Sequence, residues 1–445
     1  MKRRKFIQTI GAASAGIFGM PYVLPEGRLF ARTNSELAGH VVLVLFAGGV
    51  RQQESVGQQY LAGSQNEDVP GNILYNLLAG DPPETKIVYG TDANLEGEVP
   101  IRQVLNQPLE LQGTFFREMR TSMLGHYGGL NVAIQGNTVL TQGLAQKPVN
   151  PTIFEYVRRH RGLKATDVWF IGNGIGNSIP LLTHSTHPDY GAQYAANFFA
   201  PSITFGEWGI EHLSQTRAFH PEYEMPPAEK LKAFLDQNYS RSVQSLGGIG
   251  NSEEEHHILR SFLEEMYQKT QDNTVSMPTV KDSNDLVTMG YAAEVMRRFT
   301  PKLTVINLND VDLCHTNFTT YLRSLHRSDH AVGFLWDFIQ TQIPSMKNDT
   351  IMLLLPECGR NMKPNPVQDE NDWYGYDHAD ENAERIFGMM VGPNIPANLK
   401  IGGEGNSIGI SADMVPTIAE ILGIKDKVMA EGMVSGAARS LFDRI

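Results

Sequence analysis

Val41-Val42-Leu43-Val44-Leu45-Phe46 is an unbroken apolar run, rich in β-branched valine and followed by Gly48-Gly49. A run of this length without polar alternation predicts a strand buried on both faces, as in a parallel sheet. Comparable runs recur at Asn131–Ile134, Val168–Ile171, Leu303–Leu308, Ile351–Leu355 and Gly388–Val391. Between them the apolar positions change to helical spacing, over Thr152–Arg161, Ser252–Gln271, Ser283–Arg298, Phe318–Ile343 and Ala412–Leu422. Strands alternating with helices predict a doubly wound α/β fold, a mostly parallel central sheet with helices on both faces. Glu207–Thr279 is more polar and carries no strong strand pattern. It reads as a helical insertion in a single domain running from 40 to 445.

Composition narrows the function classes. Of the 445 residues, 41% are hydrophobic and 19% charged, which suits a large core and excludes a disordered chain. Lys+Arg number 37 against 49 Asp+Glu, a net charge of −12, which argues against sequence-independent nucleic-acid binding. Beyond the N-terminus no stretch approaches the roughly 20 uninterrupted apolar residues of a membrane span. Residues 1–31 read as an address: Lys2-Arg3-Arg4-Lys5 precede Phe6-Ile7, a modest apolar run from Thr9 to Met20, and a small residue at Ala31. The paired arginines resemble a twin-arginine signal, which exports folded proteins and predicts a periplasmic or exported protein. Left uncleaved, it would tether the chain to the inner membrane. The alternative is a basic arm on a cytoplasmic protein.

Open parallel sheets bind ligands beyond the C-terminal ends of their strands. Here those ends deliver Ala47-Gly48-Gly49, Asn309-Asp310-Val311-Asp312-Leu313-Cys314-His315, Pro356-Glu357-Cys358-Gly359-Arg360 and, further on, Tyr376-Asp377-His378. Asp and His supply the oxygen and nitrogen donors of a divalent-cation site. Asp310 or Asp312, with His315 and Asp377 or His378, are the candidate metal ligands. The same residues are also common strand-end caps and turn formers, so spacing alone does not choose. Glu357 is sharper, because a carboxylate at a buried strand end is costly unless paired or bound to a cation.

The order of these segments, closed by Ser411-Ala412-Asp413-Met414-Val415-Pro416-Thr417-Ile418, resembles the alkaline-phosphatase-like superfamily of sulfatases, phosphodiesterases and phosphomutases. More narrowly, Phe46-Ala47-Gly48-Gly49, Pro356-Glu357-Cys358-Gly359-Arg360 and Asp377-His378 resemble the twin-arginine-exported, sulfatase-like family called domain of unknown function 1501. The resemblance spans roughly Val41 to Leu422 and is weakest through the helical insertion. It implies two metal ions, a hydroxyl or modified-cysteine nucleophile, and a sulfate or phosphate ester as substrate, from a small molecule or a polysaccharide. One ion would be held by Asp310 or Asp312, His315 and His378, with zinc or calcium as the expected metal. The Asp-to-His spacing is three or five residues instead of the family's four. At the second ion's position this chain departs further: Ala47 replaces an aspartate, and Glu357-Cys358 replaces an Asp-His pair.

The nucleophile expected from the resemblance falls between Gly71 and Gly143, where Thr121 and Ser122 are the candidates, against a reading as ordinary helix-cap hydroxyls. His126 reads as a site-lining residue. Arg360 either clamps an oxyanion or forms a structural ion pair with Glu357 or Asp377. Cys314 and Cys358 admit three readings: a disulfide, a thiolate ligand at Cys358, or two buried free thiols. His184 and His187 read as an exposed loop, His330 as a helix-surface side chain, and His256-His257 as a solvated pair. Two functions stay open. One is a metal-dependent ester hydrolase with a degraded second site. The other is a non-catalytic binding or assembly module on the same fold.

Overall fold

His40–Phe46 (β1) is a seven-residue strand in which every residue is buried. It lies at the centre of a sheet, hydrogen-bonded in parallel to Leu303–Leu308 (β5) on one side and Thr350–Pro356 (β6) on the other. Those two strands are also buried throughout. In a computed structural model that describes residues 22–23, 29–30, 36–60, 69–82, 100–138, 147–172, 182–205 and 250–445, this sheet has eight strands. The remaining five are Thr114–Arg120 (β2), Val168–Ile171 (β3), Asn197–Phe199 (β4), Arg385–Val391 (β7) and Leu399–Ile401 (β8), in the order β8-β2-β7-β6-β1-β5-β3-β4. Only β7 runs against its neighbours, so the sheet is mostly parallel, as the apolar runs require.

The chain divides into two units, Met1–Glu36 and Leu37–Ile445. In the first, Tyr22–Val23 pairs antiparallel with Leu29–Phe30; the rest of the expected signal segment lies outside the described residues. In the second, His126–Gln135 (α1), Ile153–Arg161 (α2) and Met414–Ile421 (α6) pack together, and Asn284–Phe299 (α4) packs on Phe318–Gln342 (α5). Helix Glu253–Gln271 (α3) opens with a capping box, in which Ser252 Oγ accepts from Glu255 N and the Glu255 carboxylate accepts from Ser252 N. Most of the expected insertion, 206–249, is outside the described residues. No helix among the described residues is long and apolar enough to cross a membrane.

Three expectations from the sequence are corrected. Asn131–Ile134 lies in the second half of α1 and is not a strand; a four-residue apolar run cannot distinguish a buried helix from a strand. The helix is pressed against the sheet at Gly129, where a Cβ would come within 2.7 Å of the Glu357 carbonyl oxygen. The strand that precedes it, β2, has no clean apolar signature because Arg117 and Arg120 interrupt its hydrophobic positions. His330 is buried, its Nε2 3.3 Å from Thr279 Oγ1, and His184 is buried with Nε2 2.6 Å from Lys147 Nζ. Neither is a surface side chain, because the long α5 is enclosed over most of its circumference and the loop around His184 folds inward.

Register brings the site together. Phe46 stands level with Leu308 on one side and Pro356 on the other. The three central strands therefore release Ala47-Gly48, the 3-10 turn Asp310–His315 and Glu357 at the same height.

Candidate metal centre

Gly48 is the hinge of this arrangement. Its φ of +120° suits glycine alone, and a Cβ there would lie 2.4 Å from the Asp312 amide nitrogen. The tight fit lets Gly48 N donate to Glu357 Oε1 at 2.5 Å, while Gly48 O accepts from Arg360 Nη2.

His126, the first residue of α1, faces this floor. Its Nδ1 lies 2.5 Å from Glu357 Oε1 and its Nε2 lies 2.8 Å from Asp312 Oδ1. His315 repeats the pattern: Nδ1 lies 2.6 Å from Asp377 Oδ1, and Nε2 lies 3.4 Å from Asp312 Oδ1. The two Nε2 atoms are 3.2 Å apart. The His378 ring completes the group, with its centroid 4.3 Å from that of His126 and 4.9 Å from that of His315. The ligand atoms of these three histidines lie within 4.8 Å of one another, as do those of His126, Glu357 and Cys358.

The cluster has a closed floor and an open rim. Glu357, Cys358 and Arg360 are fully buried, whereas Asp312 and His315 are each 32% exposed and Asp377 48%. Burial works against a charged His126, but hydrogen bonds to Asp312, Cys358 and Glu357 outweigh it and push the imidazole up to about 12. Burial raises the Glu357 carboxyl and outweighs the lowering by His126, so the pair holds a proton tightly. Asp312 is pushed up by burial too, yet His126, His315 and Arg360 hold it well below the usual carboxylate range. Burial and the charges of His126, Arg360 and His315 lower His378 to about 4. Asp377 is lowered by its hydrogen bond from His315.

Seven of the residues singled out in the sequence thus come together: His126, Asp312, His315, Glu357, Arg360, Asp377 and His378. Asp310 does not join them. Its Oδ2 accepts from Asp285 N at 3.0 Å at the start of α4, and Asp285 Oδ1 accepts in return from Asn309 N at 2.9 Å. Arg360 is directed inward, at Asp312 Oδ1 (3.1 Å), Tyr376 O (3.1 Å) and Gly48 O, so its ion pair is with Asp312 and not with Glu357 or Asp377. Thr121 Oγ1 accepts from Met123 N at 3.3 Å and donates to Met123 O at 3.1 Å, and Ser122 is exposed on the same turn. Both cysteines are free and buried: Cys358 faces His126, while Cys314 lies by Tyr376 and Arg51.

Sequence reasoning misses Gly48 as a donor, Gly129 as the point of helix approach, and Asp285 as the partner of Asp310. The Gly48-Gly49 pair after a buried strand is the available signal for the first, and Gly128-Gly129 beside His126 for the second. Asp285 is an ordinary first-turn helix acid in sequence.

No family model and no curated protein matches this chain. Solved structures resemble it at low identity. One is a protein of the alkaline phosphatase superfamily from Vibrio parahaemolyticus (13% identity, 95% of this chain and 76% of that one, TM-score 0.39). Another is a mutant of the alkaline phosphatase PafA (8%, 92% and 99%, TM-score 0.44). A third is the PsFucS1 sulfatase from Pseudoalteromonas sp. (10%, 88% and 68%, TM-score 0.40). Likeness of this degree assigns no function, and the side chains must do so.

Proposed function

We propose that this chain is an exported, metal-dependent ester hydrolase of the alkaline-phosphatase-like type, acting on a sulfate or phosphate ester of a small molecule or polysaccharide. The observation that carries the reading is the convergence of Asp312, His315, His378 and His126 at the strand ends, over a buried Glu357. The donor chemistry suits one metal class. Calcium takes six to eight oxygens, whereas an imidazole-rich set with one carboxylate suits zinc or a similar borderline cation. Asp312, His315 and His378 would hold it, and such an ion supplies electrophilic polarisation of the ester and acidification of water.

The protein's own residues set the stage for that chemistry. Asp377 fixes the His315 ring through Nδ1, as outer carboxylates do for ligating histidines. Arg360 fixes Asp312 and is too deeply enclosed to meet an ester. With the Thr121 hydroxyl engaged by its own turn, water is the attacking group in this reading. The twin-arginine-like segment supports export to the periplasm.

A second reading is a non-catalytic binding or assembly module, favoured by Ala47 at a strand end where a carboxylate would ligate. Metal analysis of the exported protein and of His378→Ala separates the two. One equivalent of bound cation, lost in the variant, with turnover of sulfate or phosphate esters supports the hydrolase. A bound cation without turnover supports the module. No bound cation, with stability unaffected by a chelator, overturns the metal-dependent reading.

A further inference from the structure

Two histidines in this site are turned the same way. His126 and His315 each place Nδ1 against a carboxylate, Glu357 at 2.5 Å and Asp377 at 2.6 Å. That contact engages Nδ1 as the donor to a carboxylate and leaves Nε2 as the atom through which a cation could be bound. Both Nε2 atoms face one place, 3.2 Å apart and 2.8 and 3.4 Å from Asp312 Oδ1. Three such atoms need a proton or a cation among them, and a cation that takes the place of the proton on His126 Nε2 would be held by all three. Two of their separations, 3.2 and 3.4 Å, match the roughly 3.3 Å between ligand atoms around a tetrahedral zinc with bonds of about 2.0–2.1 Å, and the third, 2.8 Å, is a hydrogen-bond distance that an ion would widen.

Charge sets the number of ions. Asp312, Glu357 and Asp377 carry three negative charges and Arg360 one positive, and ligating imidazoles are neutral. The surplus of two matches a single divalent cation. With the imidazoles neutral, a second ion would leave an excess of two positive charges, and the buried Arg360 guanidinium beside Cys358 opposes it further. Part of the surplus sits deep: Glu357 Oε2 is buried without a hydrogen-bond partner among the described residues.

We infer that His126 is a metal ligand, that the centre is mononuclear, and that Glu357 is the outer carboxylate that positions His126. This rests on the metal-dependent reading above and adds to it in two respects, the helix-borne ligand and the role of Glu357.

The test uses the full chain, stripped of metal and titrated with Zn2+ and with Co2+ against a competing chelator. Ion stoichiometry, affinity and the visible cobalt spectrum are the readouts. The wild type is expected to take one ion. His126→Ala should weaken binding by about 100-fold or more and change the cobalt spectrum. Glu357→Gln should keep one ion and a similar spectrum, with affinity about 10–100-fold lower. Should either variant fail to fold, histidine nitrogen NMR of the wild type gives the answer, since zinc must shift Nε2 of His126 together with Nε2 of His315. Two ions per chain, or a His126 resonance and a His126→Ala variant indifferent to zinc, would overturn the inference while leaving metal dependence standing. A wild type that binds neither ion overturns both.

Discussion

One short turn, Asp310–His315, carries two aspartates with opposite fates. Asp310 faces Asp285, and the two carboxylates accept hydrogen bonds from each other's stretch of backbone, while Ser328 Oγ donates to Asp285 Oδ2 at 2.7 Å. Asp312, two residues on, faces two imidazoles and a guanidinium. The first region meets its negative charge with amide and hydroxyl donors and leaves nothing for a ligand. In the second, the donors are histidines whose protons a metal can replace. Burial of acids does not by itself mark a site; the nature of what faces them does.

The largest effect should come from the residue that supports the second region. Arg360→Ala removes the buried partner of Asp312 and leaves the Gly48 and Tyr376 carbonyls without that donor. Loss of about 3–5 kcal/mol is expected in urea unfolding, and an unchanged midpoint would show that the guanidinium is dispensable.

Crossing two substitutions tests whether the regions truly differ. Asp285→Ala should cost about 1–3 kcal/mol of stability, because Ser328 and a backbone amide lose their acceptor, and leave zinc affinity intact. Asp312→Ala should abolish zinc binding and, because it strips the buried Arg360 of its carboxylate, should also cost stability on the scale of Arg360→Ala. If both behaved alike in calorimetry and metal titration, the two regions would not be distinct.

A finer separation comes from pH. In the metal-free protein His126 lies near 12 and His378 near 4, against 6.5 for both when unfolded. A raised histidine contributes stability in full below 6.5 and loses it as the pH climbs towards 12. A lowered one works in reverse, and the fold is weakened as pH falls from 6.5 towards 4. Ring-proton NMR at about pH 8, above the ordinary histidine range, should find His126 charged and His378 neutral in the metal-free state. Two neutral rings would contradict the anionic surroundings described for His126. The smallest effect is expected at Thr121→Val, about 0.5–1 kcal/mol for the lost turn hydrogen bonds, with ester turnover preserved.

Much of this is legible in the sequence. The fully apolar runs at β1, β5 and β6 suit only central parallel strands, and their ends mark Gly48, Asp312, His315, Glu357 and Arg360 as neighbours. The capping residues Thr152, Ser252 and Ser283 likewise stand where α2, α3 and α4 begin. Short apolar segments are less legible: periodicity needs more than the four residues of Asn131–Ile134 to separate helix from strand.

The sequence by itself determined the fold class and the residue types at the site, because hydrophobic periodicity and strand-end position are local properties of the chain. Tertiary structure alone decided their roles. Which of Asp310 and Asp312 turns inward depends on the packing of α4 against the Asp310–His315 turn. Whether Arg360 meets a ligand or the backbone depends on how closely Gly48 approaches it. That His126 joins His315 across 189 positions depends on Gly129 letting α1 settle against the Glu357 strand end. Each is a contact between segments distant in sequence, and no local pattern encodes its distance.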